Sequence, residues 1–373
     1  MKILYFANTD WFLYNYSLSL FKYLQRKGYQ VCLTSPKGKY STLLQKENLD
    51  WQEFPLSRKG MNPLREIQSV RQFRKVLAAT QPDILHNFTL KSVLYGSLAA
   101  KKIDHIRIVN TITGMGFLFI NKDIRTRIVR AFLIPLLRYA LKDTKVLFLN
   151  TTDRDFYLER GIIQPNQAKI VHGSGVDIDV YSPGKPAQKE KKTTILFPAR
   201  FLKDKGIHEF VEAARITKKQ HTECVFVLVG SLDKGNPSSI SENDLQAWIQ
   251  EGIVECWGWQ NKMAAVYQQA SMVCLPSYRE GLATSLLEAA ACAVPIITTD
   301  VPGCRELVKN GETGFVVPTH NAQELARCII FLIEHPLESL EMGLRAREFI
   351  VEEYSQDTVN ADIYQTYIEL GGV

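Results

Sequence analysis

Apolar and polar positions along the chain follow two patterns, short apolar runs and longer segments with helical spacing. The runs, such as "TTILF", "VFVLVG" and "VPIITT", are apolar at nearly every position, as is typical of parallel strands covered by helices on both faces. The pattern predicts strands near 2–7, 30–35, 83–86, 106–110, 145–149, 168–171, 193–199, 224–229, 253–256, 272–275, 295–298 and 314–317. It predicts helices near 15–27, 63–79, 89–102, 124–142, 152–160, 206–219, 241–250, 262–269, 284–292 and 321–334.

This rhythm predicts an α/β fold with two Rossmann-like, doubly wound parallel sheets. A chain of 373 residues exceeds the size of one ordinary hydrophobic core, so we expect two domains that face a cleft. The loop "YSPGKPAQKEKK" (181–192) follows the predicted boundary. We predict an N-terminal domain over 1–175, a C-terminal domain over 176–354, and a final helix over 355–373 that returns to the N-terminal domain.

Charge is distributed unequally between the two halves. The net charge of +6 combines +15 in residues 1–175 (27 Lys and Arg, 12 Asp and Glu) with −9 in the rest (18 and 27). Basic and long apolar residues are interleaved in "NKDIRTRIVRAFLIPLLRYALK" (121–142), after "GFLFI" (116–120). This interleaving favours an anionic membrane surface as partner and argues against nucleic acid.

Neither a membrane span nor a secretory signal is predicted. No apolar run approaches the roughly 20 residues that a spanning helix needs, and the N-terminus "MKILYFANTDWFLYNY" suits a buried first strand. We therefore expect a cytoplasmic protein, peripheral on the inner face of the cell membrane. The seven cysteines form no Cys-x-x-Cys pair and lie mostly in apolar stretches, so they are interpreted as small buried hydrophobic residues.

Charged residues follow successive predicted strands of the second half, where open α/β sheets bind ligands. "LFPARFLKDKGIHEF" places Arg200 at a strand end and Lys205 before the next helix, and "VLVGSLDKGNP" supplies a turn at Gly230. "REGLATSLLEAA" (279–290) predicts a turn followed by a helix that is capped near Thr284, and the N-terminus of this helix offers free N–H groups. Together these turns predict a diphosphate site without metal or other cofactor.

Glu280 and Glu288, eight positions apart, bracket the start of that helix. A carboxylate accepts paired hydrogen bonds from vicinal hydroxyls, so each glutamate suits one end of a nucleotide-sugar. The alternative is that both are solvated charges, as Arg200 and Lys205 would be if taken singly. The order of all four at successive strand ends favours the binding site.

Other motifs resemble the signatures of metal-binding or dinucleotide-binding sites, but none of them matches fully. "DID" (177–179) resembles a metal-binding Asp-x-Asp, but it follows Gly175, where Asp177 better organises a turn. "GMGFLF" and "GSGVDI" lack the third glycine of a dinucleotide fingerprint, and no P-loop occurs. A dehydrogenase or an NTPase is therefore not expected.

"ARFLKDKG" and the long segment "LPSYREGLATSLLEAAACAVPIITTDVPGCRELVKNGETGFVVP" resemble the donor domain of retaining glycosyltransferases of family 4, which have the GT-B fold. "PDILHNFTLKSVLYGSLAA", "NTITGMGFLF" and "HGSGVD" are similar to the branch that acts on polyprenyl-diphosphate-linked sugars, including the N-acetylgalactosaminyltransferases of lipid-linked oligosaccharide assembly. In two places the chain departs from the pattern. Thr113 and Gly114 stand where many members have a histidine, and "NTDWF" replaces a double glycine.

The resemblance implies roles for individual residues. In such enzymes the residues matching Arg200 and Lys205 bind the donor diphosphate, the one matching Glu280 contacts the sugar, and the one matching Glu288 binds ribose. Arg200, Lys205 and Glu280 are thus the implied catalytic residues. The amides of the loop between the glutamates, with the turn at Gly230, complete the implied donor site: Gly281, Leu282 and Ala283.

The resemblance further implies retaining transfer of a sugar, with a UDP-N-acetylhexosamine as first candidate donor, to a polyprenyl-diphosphate-linked saccharide in bacterial polysaccharide or glycan biosynthesis. A GT-B sugar-nucleotide epimerase and a non-catalytic UDP-sugar-binding membrane protein are the alternatives. The candidate acceptor-binding residues all lie in the first half: Arg58, Lys59, His86, Lys91, Thr113 and Gly114.

Overall fold

The strands of the chain form two parallel sheets, each in its own structural unit. The computed structural model describes residues 1–56, 63–114, 124–184 and 192–371. By its internal contacts the chain divides into a first unit, Met1–Ser174 with Val359–Val373, and a second unit, Gly175–Thr358.

The first unit contains a seven-stranded sheet of order β3-β2-β1-β4-β5-β6-β7. Its elements are β1 (Lys2–Phe6), α1 (Asp10–Arg26), β2 (Gln30–Ser35), α2 (Ser41–Lys46), β3 (Asp50–Glu53), α3 (Pro63–Thr80), β4 (Ile84–Phe88), α4 (Leu90–Ala100), β5 (Arg107–Ile112), α5 (Ile124–Leu141), β6 (Lys145–Phe148), α6 (Thr151–Glu159) and β7 (Ala168–Ile170). All of its strand pairs are parallel, and the interior strand β1 places Tyr5 between Leu33 and His86.

The second unit contains a six-stranded parallel sheet of order β10-β9-β8-β11-β12-β13. Its elements are β8 (Thr194–Pro198), α7 (Ile207–Thr217), β9 (Val225–Val229), α8 (Glu242–Gln250), β10 (Glu255–Gly258), α9 (Met263–Tyr267), β11 (Met272–Leu275), α10 (Thr284–Ala291), β12 (Ile296–Thr299), β13 (Gly314–Val317), α11 (Ala322–Glu334) and α12 (Pro336–Tyr354). The last helix of the chain, α13 (Gln356–Glu369), begins in this unit and continues into the first.

Helix α13 packs on the sheet of the first unit through a buried polar network. The Tyr367 hydroxyl lies 2.9 Å from the Tyr5 hydroxyl and 2.6 Å from Nδ1 of His86, whose Nε2 lies 2.7 Å from Oγ1 of Thr111. At the edge of the same helix, Nζ of Lys169 pairs with Asp362 at 2.7 Å. The C-terminal helix is therefore part of the core of the first unit.

The predicted α/β class and both parallel sheets are confirmed. Among the described helices and strands, α2, β3 and α12 were not predicted. β3 has the sequence "DWQE", which lacks an apolar run because the strand lies at the sheet edge. Helix α12 follows α11 directly, with Pro336 in its first turn, so the proline begins a new helix where it would normally end one. Helix α1 begins before the predicted residue 15 because the Thr9 side chain caps it.

Candidate functional site

The carboxyl ends of β8, β9, β11 and β12 carry the residues that the sequence singles out in the second unit. Because all strands of this sheet are parallel, these ends lie at one edge. After β8, Arg200 leads into a 3₁₀ turn, Lys203–Lys205, and Gly206 has a φ of 74°. A Cβ on Gly206 would lie 2.1 Å from the carbonyl oxygen of Pro276, so glycine allows this turn to approach the end of β11.

That approach brings Lys205 and Glu280 together. Nζ of Lys205 forms an ion pair with Oε1 of Glu280, and the Ser277 hydroxyl donates to the same oxygen at 2.7 Å. The exposed fractions of the two charged side chains are only 19% and 12%. A pair this far from water is less screened than a surface pair, so the structure fixes both charges in place.

The loop that carries Glu280 is held by the turn after β12. The N–H of Glu280 donates to Pro302 O at 3.1 Å, and the N–H of Ala283 donates to Gly303 O at 2.8 Å. Gly303 has a φ of 78°, and a Cβ there would lie 2.6 Å from Glu280 O. Our prediction that the Ala283 amide faces the ligand is therefore wrong, because that N–H is already bonded to the turn after β12.

Helix α10 begins at Thr284, with Ala283 as its N-cap and no side-chain hydrogen bond at the cap. The predicted helix start near Thr284 is confirmed, although the cap itself is Ala283, which offers no side-chain acceptor. Among the residues that the structure describes, none accepts a hydrogen bond from the N–H of Leu282. This N–H, together with the positive end of the helix dipole, suits an anionic group. Gly281 lies beside it in the same loop.

Glu288 lies one turn further along α10 and is held by two tyrosines. The Tyr267 hydroxyl donates to Oε2 of Glu288 at 3.0 Å, and the Tyr181 hydroxyl interacts with the same carboxylate. Burial raises the pKa of Glu288 to about 7, although both hydroxyls act to lower it. The side chain nevertheless retains some exposure to solvent.

On the other side of β8, Arg200 and the turn after β9 approach each other. Nη1 of Arg200 pairs with Oδ2 of Asp233 at 2.6 Å, and 54% of the Arg200 side chain is exposed. The Gly230 N–H donates to Gly258 O at 3.0 Å, and a Cβ on Gly230 would lie 2.0 Å from Ala199 O. Gly230 therefore allows close packing of the turn beside Arg200, and its own N–H is already engaged.

A second tie joins the loops of Lys205 and Glu280. The N–H of Tyr278 donates to Asp204 O at 2.9 Å, and its hydroxyl donates to Oε1 of Glu209 at 2.8 Å. Burial and the neighbouring Glu209 carboxylate raise the pKa of Tyr278. Sequence reasoning missed several supporting residues of the site: Tyr181, Tyr267, Asp233, Ser277, Tyr278 and Gly303. The spacing of "SYREG" and the glycine in "PGCRE" were the available signals.

In the first unit, Lys91 lies in the first turn of α4, after β4. Its Nζ pairs with Glu66 at 3.2 Å. The Lys91 side chain also lines a cavity of about 600 Å³, together with Arg65 and Gln72. Thr113 and Gly114 follow the end of β5 at the same edge of the sheet. The other two basic candidates, Arg58 and Lys59, lie outside the described residues.

His86 does not belong with these acceptor candidates. It is fully buried in the middle of β4, and both ring nitrogens are engaged, by Tyr367 and Thr111. Burial lowers its pKa to about 3, so the ring is neutral at physiological pH. The prediction that His86 contacts the acceptor is therefore wrong, because the ring is buried and both of its nitrogens are already engaged.

The Asp177 turn is confirmed, since Oδ1 of Asp177 accepts from the N–H groups of Asp179 and Val180 at 3.1 Å each.

Within residues 1–56, 63–114, 124–184 and 192–371, no group of three His, Cys, Asp or Glu side chains is placed to hold a metal ion. No helix in these ranges combines the length and the apolar character that a membrane crossing requires.

Comparison with known proteins matches both halves of the chain to families. Residues 182–349 match the model described as glycosyl transferases group 1, and residues 2–150 match the model described as glycosyl transferase 4-like. One relative is the N,N'-diacetylbacillosaminyl-diphospho-undecaprenol alpha-1,3-N-acetylgalactosaminyltransferase of Campylobacter jejuni. It is 27% identical, with 99% of this chain and 98% of the relative covered.

Solved structures share the fold over the whole chain. A glycosyltransferase from Rickettsia africae aligns with a TM-score of 0.82 and 19% identity, covering 99% of this chain and 98% of the other. The Anabaena protein HepE, solved in complex with UDP, aligns with a TM-score of 0.79 and 18% identity, covering 99% and 100%. Both matches confirm the GT-B fold.

Proposed function

The chain is a glycosyltransferase, and we propose that it is a retaining enzyme that transfers a sugar from a UDP-sugar to a polyprenyl-diphosphate-linked saccharide. Its first unit belongs to the glycosyl transferase 4-like family, and its second unit belongs to the glycosyl transferases group 1 family. An N-acetylhexosamine is the proposed sugar. The name of the Campylobacter jejuni relative, an N-acetylgalactosaminyltransferase acting on a diphospho-undecaprenol-linked sugar, supports both the acceptor class and this donor.

The observation that carries the donor assignment is the partly buried Lys205–Glu280 pair beside the start of α10. Lys205 and Arg200 are the proposed ligands of the diphosphate. Oε2 of Glu280 accepts no hydrogen bond within the part of the chain that the structure describes, and we assign it to a hydroxyl of the transferred sugar. Glu288 takes the ribose.

The reaction breaks the bond between the sugar C1 and the UDP oxygen and forms a bond from C1 to the acceptor oxygen. Negative charge grows on the departing UDP, and fixed cations stabilise that change more than they stabilise the ground state. In a retaining reaction of this kind the acceptor hydroxyl attacks from the face that UDP leaves, and its proton passes to the leaving phosphate. No side-chain nucleophile is then required.

We place the acceptor at the edge of the first unit where Lys91, Thr113 and Gly114 lie. The cavity beside Lys91 has the volume of an ordinary ligand pocket, and its lining mixes hydrogen-bond donors and acceptors, as saccharide hydroxyls require. Thr89, just before α4, has a φ of 70°, a strained conformation for a β-branched residue. Such strain is concentrated at functional sites.

The test is transfer by the purified chain from a panel of UDP- and GDP-sugars to a synthetic polyprenyl-diphosphate-linked saccharide, with the anomeric configuration of the product read by NMR. We expect a UDP-N-acetylhexosamine to be the best donor and the configuration to be retained. An inverted product would contradict the mechanism. Turnover of the UDP-sugar that is independent of acceptor would instead favour an epimerase.

Helix α5 supports a position at an anionic membrane surface. Phe132, Leu136 and Tyr139 are exposed at 77%, 40% and 53% and share one helical face, and Arg127 and Arg138 lie on the same helix. Apolar side chains flanked by arginines are typical of interfacial helices. We expect the chain to sediment with vesicles that contain anionic lipid, less as salt rises, and Phe132→Ser to weaken this binding. Equal sedimentation with neutral vesicles would contradict the proposal.

A further inference from the structure

Two tyrosines from different elements converge on one carboxylate in the second unit. Tyr267 ends the short helix α9 and is fully buried, while Tyr181 lies in the segment before β8. The Tyr267 hydroxyl donates to Oε2 of Glu288 at 3.0 Å, the Tyr181 hydroxyl interacts with the same carboxylate, and the two rings lie 6.3 Å apart. The backbone around Tyr181 is itself fixed, because Arg347 donates to the Tyr181 carbonyl oxygen at 3.0 Å and also to Ala291 O in the last turn of α10.

This arrangement is costly if its only purpose is packing. A buried tyrosine hydroxyl needs one acceptor, and a backbone carbonyl suffices, as for Tyr354, whose hydroxyl donates to Glu306 O at 3.1 Å. At Glu288 the chain instead keeps a carboxylate in a setting that disfavours its charge, as its raised pKa reflects. A buried ionisable group at the sheet edge where ligands bind is expected to contact a ligand.

We infer that Tyr181 and Tyr267 are positioning residues that orient Glu288 as a receptor for the ribose diol and thereby make the enzyme select ribonucleotide over deoxyribonucleotide donors. The inference rests on the proposed donor site. A glutamate side chain has several rotamers, and the fixed Tyr267 hydroxyl, with the Tyr181 hydroxyl acting on the same carboxylate, holds it in one of them before the ligand arrives. Pre-organisation of this kind strengthens a hydrogen bond that the 2′-deoxy analogue cannot make.

The experiment measures the dissociation constants of UDP and 2′-deoxy-UDP for the full chain by calorimetry, and takes their ratio as the selectivity. For the unaltered protein we expect UDP to bind at least about tenfold more tightly. Tyr267→Phe and Tyr181→Phe each leave the carboxylate but remove one hydroxyl. We expect each to reduce the ratio to about threefold, and the double variant to bring it close to one.

Tyr354→Phe is the matched control, since it removes a buried hydroxyl bond in the same unit away from Glu288. We expect it to keep the original ratio even if it lowers the melting temperature. Tyr181 is only partly buried, so Tyr181→Phe keeps the test available if Tyr267→Phe does not fold. An unchanged ratio in folded Tyr181→Phe and in the double variant would overturn the inference.

Glu288→Ala separates this inference from the proposed site. If Glu288→Ala abolishes the selectivity and the tyrosine variants do not, the ribose assignment stands and the positioning role fails. If Glu288→Ala changes neither dissociation constant, the donor site itself is misplaced, and the inference fails with it.

Discussion

Strands β4 and β11 occupy equivalent places in the two sheets, each beside the first strand of its unit, yet their polar residues serve different ends. In β4 the polar residues His86 and Asn87 lie within the strand, are fully buried and bond to other buried groups. In β11 the strand is apolar, and the polar residues Ser277 and Glu280 follow its carboxyl end. Position relative to the strand end therefore separates groups that stabilise the fold from groups that can meet a ligand.

Lys205→Ala is the change with the largest expected effect on the ligand side of this comparison. It removes a fixed cation and leaves Glu280, only 12% exposed, with Ser277 as its remaining partner. We expect the transfer rate to fall by about 10²–10³-fold, as is common when one preorganised charge partner is lost. The measurement is the initial rate at saturating donor.

Lys203→Ala is the control for that change, because Lys203 lies in the same 3₁₀ turn but is exposed. It should leave the rate within about twofold of the original, since exposed charges contribute little. A similar loss in both variants would mean that the turn, and not the Lys205 charge, matters.

Arg200→Ala should also lower the rate strongly without unfolding the protein, and a chelator should change the rate little.

Gly303→Ala tests whether the backbone of the Glu280 loop must keep its position. The added Cβ would lie 2.6 Å from Glu280 O, so the loop must shift. A displacement of about 1 Å at a reacting site can cost about 10²-fold in rate, and we expect a loss of that size. Gly311→Ala is the control, because Gly311 has nearly the same φ, 80° against 78°, but no atom within 4 Å of its Cβ position. Equal losses of activity would show that backbone strain alone is responsible.

The sequence predicts a structural feature when the pattern that specifies it is local. Continuous apolar runs predicted every strand of the two described sheets except β3, and the charged residues after the strands of the second unit singled out Lys205 and Glu280, which the structure brings together. The sequence could not show that His86 points into the core, because its partner Tyr367 lies 281 positions away. Nor could it show the bonding of the Ala283 amide, which depends on a turn after another strand. Long-range contacts of this kind have no local pattern.

Tyr367→Phe tests the structural side of the comparison. It removes the hydroxyl that joins Tyr5 and His86 and leaves both with a buried polar group unsatisfied. Such groups cost about 1–3 kcal/mol, which corresponds to a fall of about 5 °C in the melting temperature of a unit this size. The measurement is thermal unfolding followed by circular dichroism. UDP affinity should not change, and Tyr139→Phe, whose side chain is 53% exposed, should have no effect on melting.

The smallest expected effect is a pH dependence of donor binding, to which His86 contributes nothing because burial lowers its pKa to about 3. Burial raises the pKa of Glu288 to about 7, so the carboxylate is mostly ionised at pH 8 and mostly protonated at pH 6. A protonated carboxyl loses acceptor capacity for the ribose hydroxyls, so affinity for a UDP-sugar should fall as pH drops. One pKa unit on either side of 7 limits this fall to about tenfold.

A UDP-sugar is the right ligand for that measurement, because its diphosphate is esterified at both ends and has no terminal phosphate titrating near pH 6. The groups that face Glu288 do not titrate in this range either, since burial raises the pKa of Tyr181, Tyr267 and Cys292, the last to about 12. Glu288→Gln should bind the donor more weakly and with little dependence on pH between 6 and 8. If the variant keeps the original pH dependence, another group controls it, and Glu288 does not hold the ribose in its ionised form.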